Sequence, residues 1–185
     1  MWASPFVDAL CIERSEAHPR TVFAVSMKPD LAATLRSLLL EQQTAALATL
    51  HKGEPALSMV PYALLPEGSG FVIHVSRLAV HTADMLAQPA VSLLVVAPAG
   101  SAPSPQELAR ASVQGWAKPL PPNSAEYVNA KERYVARFPS SEQTFSFSDF
   151  KLFVIEPRSV RFVGGFARAT SILAREFVSI MRGAE

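Results

Sequence analysis

Two tight-turn signals separate three short apolar runs, and this spacing constrains the fold more than any other feature of the chain. The first turn is HKGEP at 51–55 and the second is PEGSG at 66–70. Glycine and proline at such positions favour chain reversal, and loops this short join antiparallel strands. The sequence therefore predicts an antiparallel meander with strands at 44–50, 56–65 and 71–76. Pro61 offers no N–H to a neighbouring strand, which indicates an edge, a bulge or a ligand contact.

The remaining apolar patterns predict helices between some of the strands and further strands towards the C-terminus. The predicted helices run from Pro29 to about Gln43 and over 79–87, 123–138 and 171–181. The further strands are 90–97, 108–118, and a hairpin of 149–156 with 160–163 around Pro157. The run at 90–97 is almost continuously apolar, which is typical of a strand covered on both faces. The expected fold class is α+β, mainly β: a small closed antiparallel barrel with peripheral helices, formed by one domain over 1–185.

Composition excludes several classes of protein. The net charge of +1 gives no broad basic field for nucleic acid. The single cysteine, Cys11, excludes an internal disulfide and a multi-cysteine zinc site. No apolar run has the length of a membrane span, and the acidic N-terminal segment is a poor signal peptide, so a cytoplasmic location is expected. With 49% hydrophobic and only 18% charged residues, we expect some apolar surface to be buried against a partner subunit.

The segment FVIHVSRLAVHTADML at 71–86 carries the main functional signal. It begins as a strand and continues into a short helix, with Ser76, Arg77, His81 and Thr82 near the junction. Free N–H groups at a helix N-terminus and the helix dipole favour an anion, and these side chains add hydroxyl and cationic donors. The pattern therefore predicts a phosphate site, with a capped surface helix and a solvated arginine as the alternative.

Four segments together resemble a known family. They are AALATLHKGEPALSMVPY (45–62), FVIHVSRLAVHTADMLAQPAVSLLV (71–95), ARASVQGWA (109–117) and DFKLFVIEPRSVRFVGGFARA (149–169). In this order they resemble the FMN-binding split β-barrel family, the pyridoxamine 5′-phosphate oxidase-like proteins, and are most similar to its haem-utilisation branch. The resemblance implies a six- to seven-stranded antiparallel split β-barrel, with 1–28 as an N-terminal extension and 170–185 as a C-terminal helix.

The resemblance also implies a homodimer that holds FMN at the subunit interface and acts as an oxidoreductase on a small-molecule substrate. Carried over by position, the cofactor-binding residues are Ser58, Met59, Val60, Pro61, His74, Val75, Ser76, Arg77, His81, Thr82 and, from the other subunit, Arg110. Phe150 and Phe166 are expected to pack near the groove. The resemblance assigns no catalytic residue and no metal ligand, because the flavin carries the redox chemistry.

Structural interpretations of several of these residues stay open. His74 lies among apolar neighbours, as an interior histidine does. Arg110 could form an ion pair with Glu107 or with a carboxylate elsewhere. His51 lies on a turn and is expected to be solvated. The chain also departs from pyridoxamine-phosphate oxidases, since positions 58 and 63 lack the family's Arg and Lys and the C-terminal Arg-rich segment is missing. No histidine follows His81, so haem ligation through a C-terminal histidine is not expected. A haem-utilisation protein and a non-catalytic flavin-binding protein are the alternative functions.

Overall fold

The computed structural model describes residues 27–183 and confirms a mixed α and β fold built on one antiparallel sheet. Its strands are β1 (Thr44–His51), β2 (Glu54–Pro61), β3 (Ala63–Leu64), β4 (Phe71–Ser76), β5 (Ala90–Val96), β6 (Arg110–Pro119), β7 (Phe150–Val163) and β8 (Ala169–Leu173). Its α-helices are α1 (Pro29–Glu41), α2 (Val80–Ala87), α3 (Ala125–Arg137) and α4 (Ala174–Arg182). The predicted N-terminal extension lies almost entirely outside the described residues.

The order of the strands shows how the sheet closes on itself. The hydrogen-bonded path is β2-β1-β5-β6-β7-β4-β3, and β8 pairs with the C-terminal half of β7. The first and last strands of this path, β2 and β3, are separated in the chain by Tyr62 alone. The sheet therefore curls until its two edges meet, as a split barrel requires. Tyr62 fixes this corner, because its hydroxyl donates a 2.8 Å hydrogen bond to the carbonyl of Leu39 in α1.

The predicted meander is correct only in its two local hairpins, and its central strand at 56–65 is divided at Tyr62. Strands β1 and β2 pair through the HKGEP turn as expected, and β3 and β4 pair across the PEGSG turn. However, β4 pairs along its whole length with β7, and the second neighbour of β1 in the sheet is β5. The short loops specify only the local hairpins, and the pairing of distant strands depends on burial of the shared core.

The predicted hairpin around Pro157 is also wrong. Residues 150–163 form one continuous strand, β7, which pairs with β6 from Phe153 to Val163. Gln114 pairs with Ser159 and Gly115 with Pro157, so Arg158 has no partner and forms a bulge. The bulge accommodates Pro157 inside a strand. The C-terminal helix likewise begins later than predicted, because Ala169–Leu173 forms strand β8 and α4 starts at Ala174.

The barrel interior forms the main hydrophobic core, and helices α1 and α4 cover it. Leu35 and Leu39 of α1 and Phe177 of α4 are fully buried there together with inward side chains of the strands. Strand β5 contributes Val91, Leu93 and Val95, whereas its alternate side chains are exposed or half-buried. The expectation that β5 is covered on both faces is therefore wrong for the single chain.

A second, smaller cluster joins α3 to the outer face of β4 and β7. It contains Val72 and Leu152 from the strands and Ala130 and Tyr134 from the helix. None of the helices within residues 27–183 combines the length and apolar character that crossing a bilayer requires.

Candidate functional site

The junction of β4 and α2 is a tight turn whose backbone groups bond to one another. The carbonyl of Ser76 accepts hydrogen bonds from the amide of Ala79 at 3.1 Å and from the hydroxyl of Thr82 at 2.7 Å. No side chain caps the N-terminus of α2, where Ala79 is the N-cap residue. The amide of Thr82 donates to the carbonyl of Ala79 at 3.0 Å, whereas the amides of Val80 and His81 have no partner among the described residues and are open to an external acceptor. Arg77 is exposed, and within residues 27–183 its guanidinium forms neither a hydrogen bond nor an ion pair.

Two of the predicted phosphate donors are already engaged within the chain. The hydroxyl of Thr82 is buried and donates to Ser76, so it stabilises the turn. The hydroxyl of Ser76 donates to the carboxylate of Asp149 at 3.1 Å, and it accepts from the amide of Leu78. Asp149 also places a negative charge beside the junction. An anion at this site must therefore rely on Arg77 and the helix amides, or displace the Asp149 carboxylate.

His81 and Ser58 lie together where α2 crosses β2. The Nδ1 atom of His81 is 3.1 Å from the hydroxyl of Ser58, while its Nε2 atom is buried and has no partner among the described residues. Burial lowers the pKa of His81, and the nearby Asp84 carboxylate opposes the shift. The neutral imidazole is therefore favoured. A buried polar atom without a hydrogen bond is costly, and such atoms are often satisfied by a ligand or an ordered water.

One turn further along α2, Asp84 forms a buried network with β1. Its carboxylate accepts 2.9 Å hydrogen bonds from the hydroxyl of Thr49 and from Nδ1 of His51. The hydrogen bond from His51 holds the pKa of Asp84 below its usual value, although burial opposes the shift. The His51 side chain is 43% exposed, so it is solvated as expected, but the sequence interpretation missed its hydrogen bond to Asp84. Alternation along β1 was the available signal, since it places Thr49 and His51 on the same face.

The predicted residues on β2 divide between the two faces of the strand. Ser58 is half-buried towards α2, and Val60 is fully buried in the core. Met59 and Pro61 alternate with them and are exposed, with Met59 66% exposed. Because the side chain of Val60 is buried, this residue can contact a ligand only through its backbone.

The side chains of His74 and Val75 on β4 both pack inside the protein. The ring of His74 stacks on Phe145 with a centroid distance of 3.8 Å, and Nδ1 lies 3.2 Å from the hydroxyl of Thr144. Burial and the charge of Lys131 lower the pKa of His74 to about 4. The His74 side chain is therefore that of an interior histidine, which is the alternative that the sequence left open. The side chain of Val75 belongs to the main core.

Arg110 begins β6 and bonds to its own loop. One guanidinium nitrogen donates to the carbonyls of Gln106 at 3.0 Å and Leu108 at 3.1 Å. The ion pair with Glu107 that the sequence left open does not form, because Glu107 accepts instead from the hydroxyl of Ser104. Phe166 is 78% exposed at the β7–β8 turn, and Phe150 lies beside His74.

The outer face of the sheet contains a groove of about 540 Å³ that the sequence patterns did not indicate. It lies between β5, β6, β7 and β8, and its lining includes Trp116 and Arg158. The guanidinium of Arg158 lies 5.2 Å from the centroid of the Trp116 ring. The bulge that brings Arg158 to this position has no short-range sequence signal apart from Pro157 and Gly115.

Comparison with known proteins establishes the family. The family model described as pyridoxamine 5′-phosphate oxidase matches residues 31–164, which run from α1 to the end of β7. The chain belongs to the pyridoxamine 5′-phosphate oxidase family. The resemblance inferred from the four sequence segments is thereby confirmed.

Several relatives within or near this family are named for haem. The chain is 34% identical over 119 residues to the chloroplastic non-canonical haem oxygenase HOZ of Arabidopsis thaliana, a match that covers 64% of this chain and 35% of the plant protein. A haem-binding protein from Mycobacterium smegmatis shares 28% identity at a TM-score of 0.73, covering 83% of this chain and 62% of that one. The haem storage protein HutZ of Vibrio cholerae shows the same fold, with a TM-score of 0.63, 22% identity and coverage of 69% and 90%.

This chain therefore spans only part of the first two relatives: about a third of the plant protein and less than two thirds of the mycobacterial one. Within the described residues of this family member, no group of three or more His, Cys, Asp and Glu side chains is arranged to hold a metal ion.

Proposed function

We propose that this member of the pyridoxamine 5′-phosphate oxidase family is a homodimeric FMN-binding protein that acts as an oxidoreductase on a small substrate. The observation that carries the proposal is the guanidinium of Arg77, which has no partner among residues 27–183, beside an N-terminus of α2 that no described side chain caps. A cation and unpaired amides at a helix start suit a terminal phosphate. The proposed setting is the reducing cytoplasm, which a single cysteine suits.

Strand β2 suits the polar edge of a flavin ring. Within the part of the chain that the structure describes, it lies at the end of the strand path and pairs only with β1, so no described strand bonds to its outer edge. Pro61 has no N–H and ends the strand, which lets a ligand replace a neighbouring strand there. In this proposal the backbone of Ser58 to Pro61 bonds to the ring, while Ser58 and His81 close its inner side. The bound FMN supplies hydride and electron transfer.

A second copy of the chain completes the proposed groove. Leu57 and Met59 on the outer face of β2 are 77% and 66% exposed, and Leu94 and Val96 on β5 are 38% and 37% exposed. Apolar side chains so close together favour burial against a partner. Arg110 of the partner subunit is then proposed to reach the cofactor, after its guanidinium leaves the two loop carbonyls that it now contacts.

Titration of the cofactor-free protein with FMN tests the site. We expect Arg77→Ala to weaken FMN binding about ten- to hundredfold, because a charge-assisted hydrogen bond to phosphate is lost. Arg133→Ala, at a similarly exposed arginine on α3, is the control and should bind like the parent. Equal affinity of the parent and Arg77→Ala contradicts the placement of the phosphate, and a parent that binds no FMN contradicts the function.

Turnover separates an enzyme from a flavin carrier. The FMN-loaded parent should be reduced by NADH or NADPH and reoxidised repeatedly, because the open face of the ring is accessible to substrate. Bound FMN that stays oxidised with both reductants favours the non-catalytic flavin-binding alternative, since the cofactor is then present without electron exchange.

Haem is the second candidate ligand, and the similarity to two named haem proteins specifically favours it. Those proteins are the 34% identical plant haem oxygenase and the 28% identical mycobacterial haem-binding protein. The engaged hydroxyls of Ser76 and Thr82 also make the junction a less complete phosphate site than the sequence predicts. A haem titration that gives a saturable shift of the Soret band, in a protein that does not retain FMN, replaces the first proposal with this one.

A further inference from the structure

The groove on the outer face of the sheet combines an aromatic surface, a cation and polar groups. Its volume is about 540 Å³, and its lining includes Ala90, Ser92, Gln114, Trp116, Arg158 and Leu173. Trp116 lines the groove and is 40% exposed. Pockets of this size that carry a few convergent polar groups are typical ligand sites.

The β7 bulge gives Arg158 its position in the groove. Arg158 has no partner on β6, since its neighbours Pro157 and Ser159 pair with Gly115 and Gln114. Bulges of this kind redirect a side chain out of the regular alternation. Gly115 makes the bulge possible, because a Cβ there would lie 2.5 Å from the carbonyl oxygen of Glu156.

The cation in the groove has no anionic partner in the described part of the chain. Within residues 27–183 Arg158 forms no ion pair and no side-chain hydrogen bond, and its guanidinium is 5.2 Å from the Trp116 ring centroid. By contrast Gln114 and Ser159 bond to each other at 3.1 Å, which fixes the amide at the floor of the groove. The guanidinium lies over the Trp116 ring, so it offers a pairing site for an anion next to the exposed part of the indole, which offers an aromatic contact surface.

We infer that this groove binds a planar aromatic anion, with the ring stacked on Trp116 and its carboxylate or phosphate paired with Arg158. The inference goes beyond the proposed cofactor site and does not depend on which cofactor the chain holds. Along one subunit the groove is separate from the β4–α2 junction. Ser76 pairs with Phe150, whereas Trp116 pairs with Glu156, six residues or roughly 20 Å further along β7.

Fluorescence titration tests the groove directly. The chain has two tryptophans, so Trp2→Phe leaves Trp116 as the reporter. The probes are 2-naphthoate, 1-naphthyl phosphate and the neutral 2-naphthalenemethanol, added to the cofactor-free protein and to the protein saturated with FMN. We expect both anions to quench Trp116 with saturation, and the neutral probe to bind about tenfold more weakly because it cannot pair with Arg158.

Two variants and a control separate the parts of the site. Arg158→Gln should abolish the preference for the anions and leave weak binding of all three probes, whereas Arg133→Gln on α3, which contributes no residue to the groove lining, should bind like the parent. Trp116→Leu, measured by calorimetry, should weaken all three probes. Both altered residues are exposed, and unchanged thermal unfolding midpoints check that the variants fold.

Several outcomes overturn the inference. One is equal binding of charged and neutral probes to the parent, and another is unchanged anion binding by Arg158→Gln. A third is loss of anion binding in the FMN-saturated protein, because the groove is then part of the cofactor site. A fourth is dissociation of a parent dimer by Arg158→Gln, because the groove is then a subunit contact. Failure of FMN binding with retained anion binding contradicts the proposed function alone.

Discussion

Burial determines the protonation state of His74, and this has a measurable effect on stability. Its ring lies between Phe145, Phe150 and Tyr134, and the ammonium of Lys131 lies 5.1 Å from the Phe145 ring centroid. Burial first, and then this positive charge, lower the pKa of His74 to about 4 from an ordinary value of 6.5. Between these two pH values the unfolded chain binds a proton that the folded chain does not. The contribution of His74 to stability is therefore complete above pH 6.5 and is lost as the pH falls towards 4.

Substitution of His74 by phenylalanine isolates this effect, because a phenyl ring can stack on Phe145 but cannot titrate. We expect the free energy of unfolding of the parent to fall by up to about 3 kcal/mol more than that of His74→Phe between pH 7 and 4. Urea unfolding at four or five pH values measures the difference. Lys131→Met should reduce the drop, since it removes the charge that lowers the pKa. Parallel pH profiles of the parent and His74→Phe contradict the prediction.

At the level of the elements, the β6–β7 bulge depends on one glycine. A Cβ at Gly115 would approach the carbonyl oxygen of Glu156 to 2.5 Å and a methyl carbon of Ile155 to 2.9 Å. We expect Gly115→Ala to lower the free energy of unfolding by about 2–3 kcal/mol, because a buried strand must shift to admit the methyl group.

Gly100→Ala provides the matched comparison. No atom of the described residues lies within 4 Å of the position that a methyl group at Gly100 would occupy, but the φ of this residue is +86°. Its substitution should cost about 1 kcal/mol through backbone strain alone. Urea unfolding midpoints compare the two variants, and equal losses would show that the bulge tolerates a side chain.

The elements that the sequence predicted are those with local signals. The HKGEP and PEGSG turns, the start of α1 at Pro29 and the end of α2 before Pro89 all rest on turn or helix-end chemistry within a few residues. Strand β7 was divided because Pro157 resembles a chain break, and only its partner β6 shows that the strand continues through a bulge. Strand β8 was missed because ATSIL runs directly into the helix that follows it.

Likewise, the sequence predicted those parts of the candidate site whose residues lie within one short segment. The sequence located the β4–α2 junction, but the carboxylate that bonds to Ser76 belongs to Asp149, 73 positions away. Likewise His51 and Asp84 meet across 33 positions. Such contacts arise from the packing of distant strands, which no single segment encodes. The placement of phosphate at Arg77 stays a prediction.

For the whole molecule, the outer face of the barrel determines the expected assembly. A row of small and apolar side chains crosses β2, β1 and β5 through Met59, Ala46 and Leu94. Leu57 and Ala48 lie beside it, and Ser92, next to Ala48, belongs to the lining of the groove that contains Trp116. The alanines between the larger side chains leave room for a partner surface to approach the sheet. A stable dimer buries roughly 1,200–2,000 Å² in total, and a sheet face of several strands supplies such an area.

We therefore expect the parent to be a dimer, and the double variant Leu57→Lys with Met59→Lys to be a monomer, because lysines on this face cannot be buried unpaired at an interface. Light scattering after size-exclusion chromatography measures the masses. Val128→Lys is the control, since Val128 is a similarly exposed apolar residue, 52% exposed, on α3. If the proposed groove lies between subunits, the monomer should also lose FMN binding while its thermal unfolding stays cooperative. A monomeric parent contradicts the proposed assembly, and a dimeric double variant shows that another face forms the contact.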